Sequence, residues 1–342
     1  MRIVFFETDT LEEEYFEKYL ADHDLQFFPD NLTASSLDKL GPVDVLSTFM
    51  YSEVDREVLD ALPELKLIAT RSTGFDHVAL DVCTSRGIVV SNVPSYGDNT
   101  VAEHTFALIL TLARRLYEGC LNRIEGDFSA RDLTGFDLKG KTIGVVGAGK
   151  IGTHVVRIAR GFGMTVLVYD VKPQESLAEA LGFQFAPLDR LLQESDIISL
   201  HVPYNDATHH LIDRQKFSMM RKGAYLINTA RGGIVDQRAL LEALDDGTLA
   251  GAGLDVLEGE EYIKEEKSVL TDTERTKALN AVGENALILQ RKNVVYTPHI
   301  GFNTREAVER ILETTVDSIL GFASGEPKNV VNPDALENRG RK

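Results

Sequence analysis

The chain has 342 residues, 43% hydrophobic and 26% charged, the make-up of a globular protein long enough for two domains of roughly 100–200 residues each. Its net charge of −17 argues against nucleic acid and against an anionic membrane surface as partners. Two cysteines, Cys83 and Cys120, without C-x-x-C or metal-ligand spacing, exclude a disulfide framework and suggest no metal; no apolar run approaches the ~18 residues of a membrane span, so a cytoplasmic location is expected.

In chain order, short apolar runs predict strands at residues 3–6, 43–49, 67–71 and 88–93, with amphipathic helices at 12–22, 55–62 and 77–86. The run at 3–6 is too short for a signal peptide. Strands alternating with helices imply a parallel sheet covered on both faces. A long helix is predicted from Thr100, where Thr100 and Glu103 fit a capping box. Its apolar stretch 106–112 suits a domain or subunit interface. From Lys141 the pattern restarts. Strands at 142–146, 165–169, 197–202, 224–228, 251–254 and 294–297 match a doubly wound dinucleotide domain. Residues 258–292 read as a charged, exposed insertion with one or two helices. A last helix spans 304–322, and the polar tail after Gly325 is expected to pack loosely. Two α/β units in tandem suggest a ligand cleft between lobes.

The most informative segment is the G-x-G-x-x-G run Gly147, Gly149 and Gly152, set between a strand and a helix. Gly147 permits a tight turn, Gly149 lets a pyrophosphate approach the backbone, and Gly152 lets helix and strand pack closely. The phosphates then meet free N–H groups at a helix N-terminus. Asp170 ends the next strand, 18 residues past Gly152, where a carboxylate accepts ribose hydroxyls and repels a 2′-phosphate. No Arg follows it at 171–173, which favours NAD over NADP.

A nicotinamide enzyme acting on a hydroxy acid also needs a cation for the carboxylate, a proton donor and a group that tunes the donor. Arg231 follows a predicted strand and precedes two glycines; it fits a carboxylate clamp, or equally a surface pair with Asp236. His299 ends the last strand and His201 ends another, and residue chemistry alone does not separate them. Glu260 lies where a carboxylate would favour an imidazolium, but Glu258, Glu261 and Asp255 are equally placed by composition.

The segments GVVGAGKIG, DIISLHVPYNDATHHLI, KGAYLINTARGGIVD, GAGLDVLEGE and TPHIGFNT, in this order, resemble the D-isomer-specific 2-hydroxyacid dehydrogenase family over nearly the whole chain. The resemblance is closest to its D-lactate dehydrogenase branch, through residues 70–76, Tyr96, Phe302 and the long insertion after Glu260. It implies an α/β fold: a Rossmann NAD domain at 100–300 inserted into a discontinuous flavodoxin-like substrate domain, 1–99 plus 301–342. It implies His299 as general acid, Glu260 as its partner and Arg231 as holder of carboxylate and carbonyl. Thr73, Gly74, Tyr96 and Phe302 would contact substrate. Cofactor contacts would come from Gly147, Gly149, Lys150, Ile151, Gly152, Asp170, His201, Val202, Pro203, Thr229, Ala230 and Asp255, the last at the nicotinamide carboxamide. A homodimer through the long helix is implied. The expected function is NAD-dependent reduction of pyruvate to D-lactate. Alternatives are a larger 2-keto acid, glyoxylate or phosphohydroxypyruvate and, in a different class, an NAD-sensing corepressor-like binding protein.

Overall fold

The computed structural model describes residues 1–260 and 272–338. The chain divides into two compact units, Met1–Tyr96 with Thr304–Lys342, and Gly97–Asn303.

The first unit starts with β1 (Arg2–Phe6), α1 (Thr10–Tyr19), β2 (Asp24–Phe28), α2 (Ala34–Leu37) and β3 (Val45–Thr48). It continues with α3 (Arg56–Ala61), β4 (Leu67–Thr70), α4 (Leu80–Arg86) and β5 (Val89–Ser91). Local chemistry sets the helix starts. Asp9 accepts the N–H groups of Leu11 and Glu12 while Glu12 reaches back, and Asp55 accepts that of Val58. The five strands are parallel in the order β2-β1-β3-β4-β5, a flavodoxin-like arrangement. Alternate residues serve opposite faces. Val4, Phe6, Leu46 and Ile68 enter one core, and Ile3, Phe5, Val45 and Leu67 enter the other.

The second unit begins with α5 (Asp98–Ala113) and α6 (Leu116–Ile124), then β6 (Thr142–Val146), α7 (Lys150–Gly161), β7 (Thr165–Tyr169) and α8 (Glu175–Leu181). Next come β8 (Gln184–Phe185), α9 (Leu188–Glu194), β9 (Ile197–Leu200), α10 (Arg214–Met219), β10 (Ala224–Asn228) and α11 (Gln237–Asp245). It ends with β11 (Leu249–Leu254), α12 (Asp272–Leu289) and β12 (Val294–Tyr296). All seven strands are parallel, in the order β12-β11-β10-β9-β6-β7-β8. This is the doubly wound dinucleotide order with one strand added beyond β11. The order reverses between β6 and β9, the switch point where such sheets bind ligands. The chain then returns to the first unit, where α13 (Arg305–Ala323) lays Leu312, Val316, Ile319 and Phe322 on its sheet, and α14 (Asp334–Asn338) follows.

Four expectations are corrected. Strands β2 and β8 were not anticipated: β2 carries a Gln in its centre and β8 has only two residues. The long helix starts at Asp98, so Thr100 is buried in its first turn; no side chain caps the helix, and Glu103 accepts from Asn99 Nδ2 (3.1 Å) instead of closing a box. The tail is tied down. Asn332 Oδ1 accepts the Val90 N–H (2.8 Å), its Nδ2 donates to Ile88 O (2.9 Å), and Val330 bridges Ser91, so the tail covers the edge strand β5. Within the charged segment, residues 261–271 lie outside the described residues, and Asn285 and Ile288 of α12 are buried rather than solvated.

Candidate active site

The second unit gathers its chemistry at the carboxyl ends of its strands. The glycine turn follows β6, Asp170 follows β7, His201 follows β9 and Arg231 follows β10. Asp255 and Glu260 follow β11, and His299 follows β12.

At the glycine turn the backbone dictates the residue. Gly147 has φ +102°, and a Cβ there would stand 2.6 Å from the His201 carbonyl and 3.0 Å from Val202 Cγ1. Gly152 presses on the same turn, with a Cβ position 2.0 Å from Gly147 O. Above Gly149, the residue before α7, nothing lies within 4 Å, and no side chain caps that helix. Lys150 and Ile151 open α7, Ile151 resting on the core. Asp170 Oδ2 accepts the Ala148 N–H (2.7 Å) and Oδ1 accepts the Lys172 N–H (2.8 Å), so the carboxylate is fixed beside the turn. An uncapped helix start, an open cradle and a carboxylate at the second strand fit a dinucleotide.

The structure separates the two strand-end histidines. His201 Nε2 lies 2.8 Å from Ser199 Oγ, and burial pushes its pKa down to about 3. It stays neutral at physiological pH and cannot donate a proton as an imidazolium. His299 Nδ1 lies 2.8 Å from Glu260 Oε1, both side chains being 14% exposed. Of the carboxylates that composition left open, Glu260 is the one at His299 among the described residues. Glu258 meets His210 Nε2 at 3.0 Å, Asp255 binds its own loop, and Glu261 lies outside the described residues.

His299 sits at φ +57°, a strained setting for a non-glycine residue. Asp255 supplies the restraint. Its carbonyl accepts the His299 N–H (2.8 Å), Oδ1 accepts the Ile300 N–H (3.0 Å) and Oδ2 the Gly301 N–H (2.8 Å). Thr297 Oγ1 donates to Oδ1 at 2.5 Å, so its own lone pair accepts from His104 Nε2 at 2.9 Å. Burial works against the Asp255 charge, but the donors from His104, Thr297 and Gly301 outweigh it and hold the carboxyl below its ordinary value.

Arg231 leaves β10 through an Asn-anchored turn. Asn228 Oδ1 accepts the Ala230 N–H (3.0 Å), and its Nδ2 donates to Arg231 O (2.9 Å). Arg231 Nη1 donates to Ala230 O (2.9 Å). Asp236, the alternative partner considered for Arg231, caps α11 by accepting the Ala239 N–H (3.0 Å). A Cβ at Gly232 would stand 2.1 Å from the Leu257 carbonyl carbon, so glycine lets the Arg231 turn lie against the Glu260 loop. Thr229 Oγ1 meets Thr105 Oγ1 at 3.0 Å, Pro203 O accepts from Thr208 Oγ1 (2.7 Å), and Phe302 lies in the turn after His299 that the Asn303 N–H closes on Ile300 O (2.8 Å).

Thr73, Gly74 and Tyr96 belong to the first unit. There Thr73 O accepts from Asn92 Nδ2 (2.8 Å), Gly74 O from Ser72 Oγ (2.6 Å) and Tyr96 O from Arg310 Nε (2.8 Å). Sequence reasoning missed Asn228, Thr297 and His104 as positioning groups. Only Asn228 carried a local signal, an Asx turn at a strand end.

Residues 106–301 match the family model described as D-isomer specific 2-hydroxyacid dehydrogenase, NAD binding domain. Glyoxylate reductase of Thermococcus litoralis is 38% identical over 308 residues, 88% of this chain and 87% of that protein. The solved D-lactate dehydrogenase of Aquifex aeolicus, complexed with NAD and lactic acid, superposes with a TM-score of 0.88 at 38% identity, covering 96% of this chain and 99% of that one. The structure of the pyruvate reductase of Chlamydomonas reinhardtii gives 0.84 at 33% identity, with 96% and 97% covered.

Proposed function

The chain belongs to the D-isomer specific 2-hydroxyacid dehydrogenase family, an NAD-dependent oxidoreductase family, and on that premise we propose that it reduces small 2-keto acids to D-2-hydroxy acids with NADH, pyruvate foremost. The observation that carries this reading is the His299–Glu260 pair at 2.8 Å, on the same sheet end as Arg231 and the glycine turn.

Bound NADH supplies hydride to C2 of the keto acid. In this reading Glu260 accepts from His299 Nδ1–H and fixes the ring, so that Nε2 delivers the proton to the carbonyl oxygen. Solvent then reprotonates His299. Arg231 binds the carboxylate through two parallel hydrogen bonds and stabilises charge developing on the oxygen. The N–H groups of Thr73 and Gly74 add donors for the carboxylate, while Tyr96 and Phe302 shape the side-chain pocket. Gly147, Gly149, Lys150, Ile151 and Gly152 hold the pyrophosphate, and Asp170 holds the ribose. His201, Val202, Pro203, Thr229, Ala230 and Asp255 line the remainder of the dinucleotide, with Asp255 also restraining the His299 loop.

The name of the Thermococcus relative supports glyoxylate as a second substrate. A panel of pyruvate, glyoxylate, 2-ketoisocaproate, phenylpyruvate and phosphohydroxypyruvate, read by loss of NADH absorbance, tests the reading. Fast turnover of pyruvate is expected; a larger acid turned over faster would move the substrate assignment. NADH binding with silence across the panel would overturn the enzymatic reading in favour of a binding protein.

A homodimer through α5 and α6 is part of the proposal. Support comes from the exposed Leu116, Tyr117, Ile124 (70%) and Phe128 (83%) on and after α6, a cluster of apolar side chains that suits a partner surface. The free thiols Cys83 and Cys120 suit a reducing compartment, and we place the protein in the cytoplasm. Among the described residues no helix is long and apolar enough to cross a membrane.

A further inference from the structure

We propose that His209, His210 and Glu258 form a binding site for a borderline divalent metal ion, of which zinc is the type. The site lies on the loop after β9, which packs against the turn that carries Arg231, and on the loop that carries Glu260. The two histidines follow β9 and the glutamate follows β11, a separation of 48 residues between His210 and Glu258 that sequence spacing could not reveal. One ligand atom from each of the three lies within 4.8 Å of the others.

The donor set fixes the metal class. Two imidazoles and one carboxylate suit zinc, cobalt or nickel, whereas magnesium and calcium take all-oxygen shells. His210 Nε2 already lies 3.0 and 3.1 Å from the two Glu258 oxygens, and an ion there replaces the proton they share. The His209 ring stacks on that of His210, with centroids 3.9 Å apart. Tyr204 Oη lies 3.1 Å from His209 Nδ1, an outer partner that leaves Nε2 as the ligand nitrogen. Tetrahedral bonds of about 2.0–2.1 Å set ligand atoms about 3.3 Å apart, so the most widely separated ligand atoms close by up to about 1.5 Å. That is within torsional reach of the exposed His209 and the partly exposed His210 and Glu258.

The backbone beneath is built to hold still. Glu258 O accepts from Gln237 Nε2 (2.9 Å) and Asn285 Nδ2 (3.2 Å), and Gln237 Nε2 also donates to Asn285 Oδ1 (2.6 Å). Both amides are buried. His210 sits at φ +48°, held by its N–H to Gly233 O (2.8 Å). His210 and Glu258 are therefore tied to the loops of the proposed active site. Gly233 lies two residues past Arg231 with the Tyr204 ring against it, and Glu258 lies two residues before Glu260. A bound ion ties the 203–210 loop to the 257–260 loop. Binding itself does not depend on the proposed activity, so its test does not read turnover.

The test uses tag-free full-length protein, equilibrium dialysis against ZnCl2, and thermal melts with ZnCl2, MgCl2 or CaCl2. One zinc per chain and a rise in Tm with zinc alone are expected, and CoCl2 should give the visible bands of a tetrahedral cobalt site. His209→Ala and Glu258→Gln should each weaken zinc binding about 10-fold or more. Cys120→Ser and His299→Ala should leave it unchanged. The exposed His209 keeps the test decisive should Glu258→Gln misfold. Zinc affinity unaltered in His209→Ala, affinity lost in Cys120→Ser or His299→Ala, or an equal response to magnesium would overturn the assignment.

Discussion

His201 and His299 end strands of the same parallel sheet and meet opposite surroundings. After β9, His201 is partly exposed, its Nε2 lies 2.8 Å from Ser199 Oγ, and desolvation with no opposing charge among the described residues lowers its pKa to about 3. After β12, His299 is held in the left-handed region with its Nδ1 on Glu260. Placement at a strand end makes a residue a candidate; burial and the partner decide its chemistry. The first histidine serves as a neutral wall next to the Gly147 turn. The second is the proton donor in the proposed reaction.

The largest test of this contrast is a paired substitution. His299→Gln should lower pyruvate turnover about 10²–10⁴-fold, the usual worth of a positioned general acid, while His201→Asn should keep turnover within about 10-fold. Equal losses in steady-state kcat would erase the distinction. Arg231→Ala should cost about 10²–10³-fold, since it removes the group facing the developing oxyanion; Arg231→Lys should recover only part, because an ammonium cannot make the two parallel bonds. Full rescue by Lys, read in kcat/KM, would refute the bidentate role.

A smaller effect concerns the cofactor. Asp170→Ala should relax the preference for NADH over NADPH by about 10-fold, one charge–phosphate repulsion being worth on the order of 1.4 kcal/mol at this exposure. An unchanged ratio of kcat/KM values would remove Asp170 from cofactor selection.

The smallest effect is on acid stability. Desolvation holds the folded pKa of His201 at about 3, below the ordinary imidazole value of 6.5. Between these values the unfolded chain binds a proton that the folded chain does not, so stability is full above 6.5 and is lost as pH falls toward 3. His201→Asn should flatten that part of the pH dependence of the urea midpoint. A variant that follows the wild-type curve throughout would show that His201 protonates freely in the fold.

Much of the architecture was legible because periodicity is local. Runs such as Ile3–Phe6 announce doubly covered strands, and Gly147, Gly149, Gly152 and Asp170 announce a dinucleotide turn by spacing alone. Strand β2 escaped because Gln26 interrupts its pattern at the sheet edge, where pairing with β1 decides the structure. The start of α5 was misplaced because Asp98 and Asn99 extend the helix ahead of the apparent Thr100 cap. The site was less legible. His201 and His299 differ only in burial and partner, which are tertiary, and Glu260 stood out from Glu258 through family resemblance rather than composition. His104 reaches Thr297 across 193 positions, and no local pattern encodes such a contact.

The most direct test of the central claim is the hand of the product. Wild-type protein, NADH and pyruvate should yield D-lactate on chiral chromatography, with His299→Gln yielding almost none in the same time. L-lactate, or undiminished D-lactate from His299→Gln, would contradict the account.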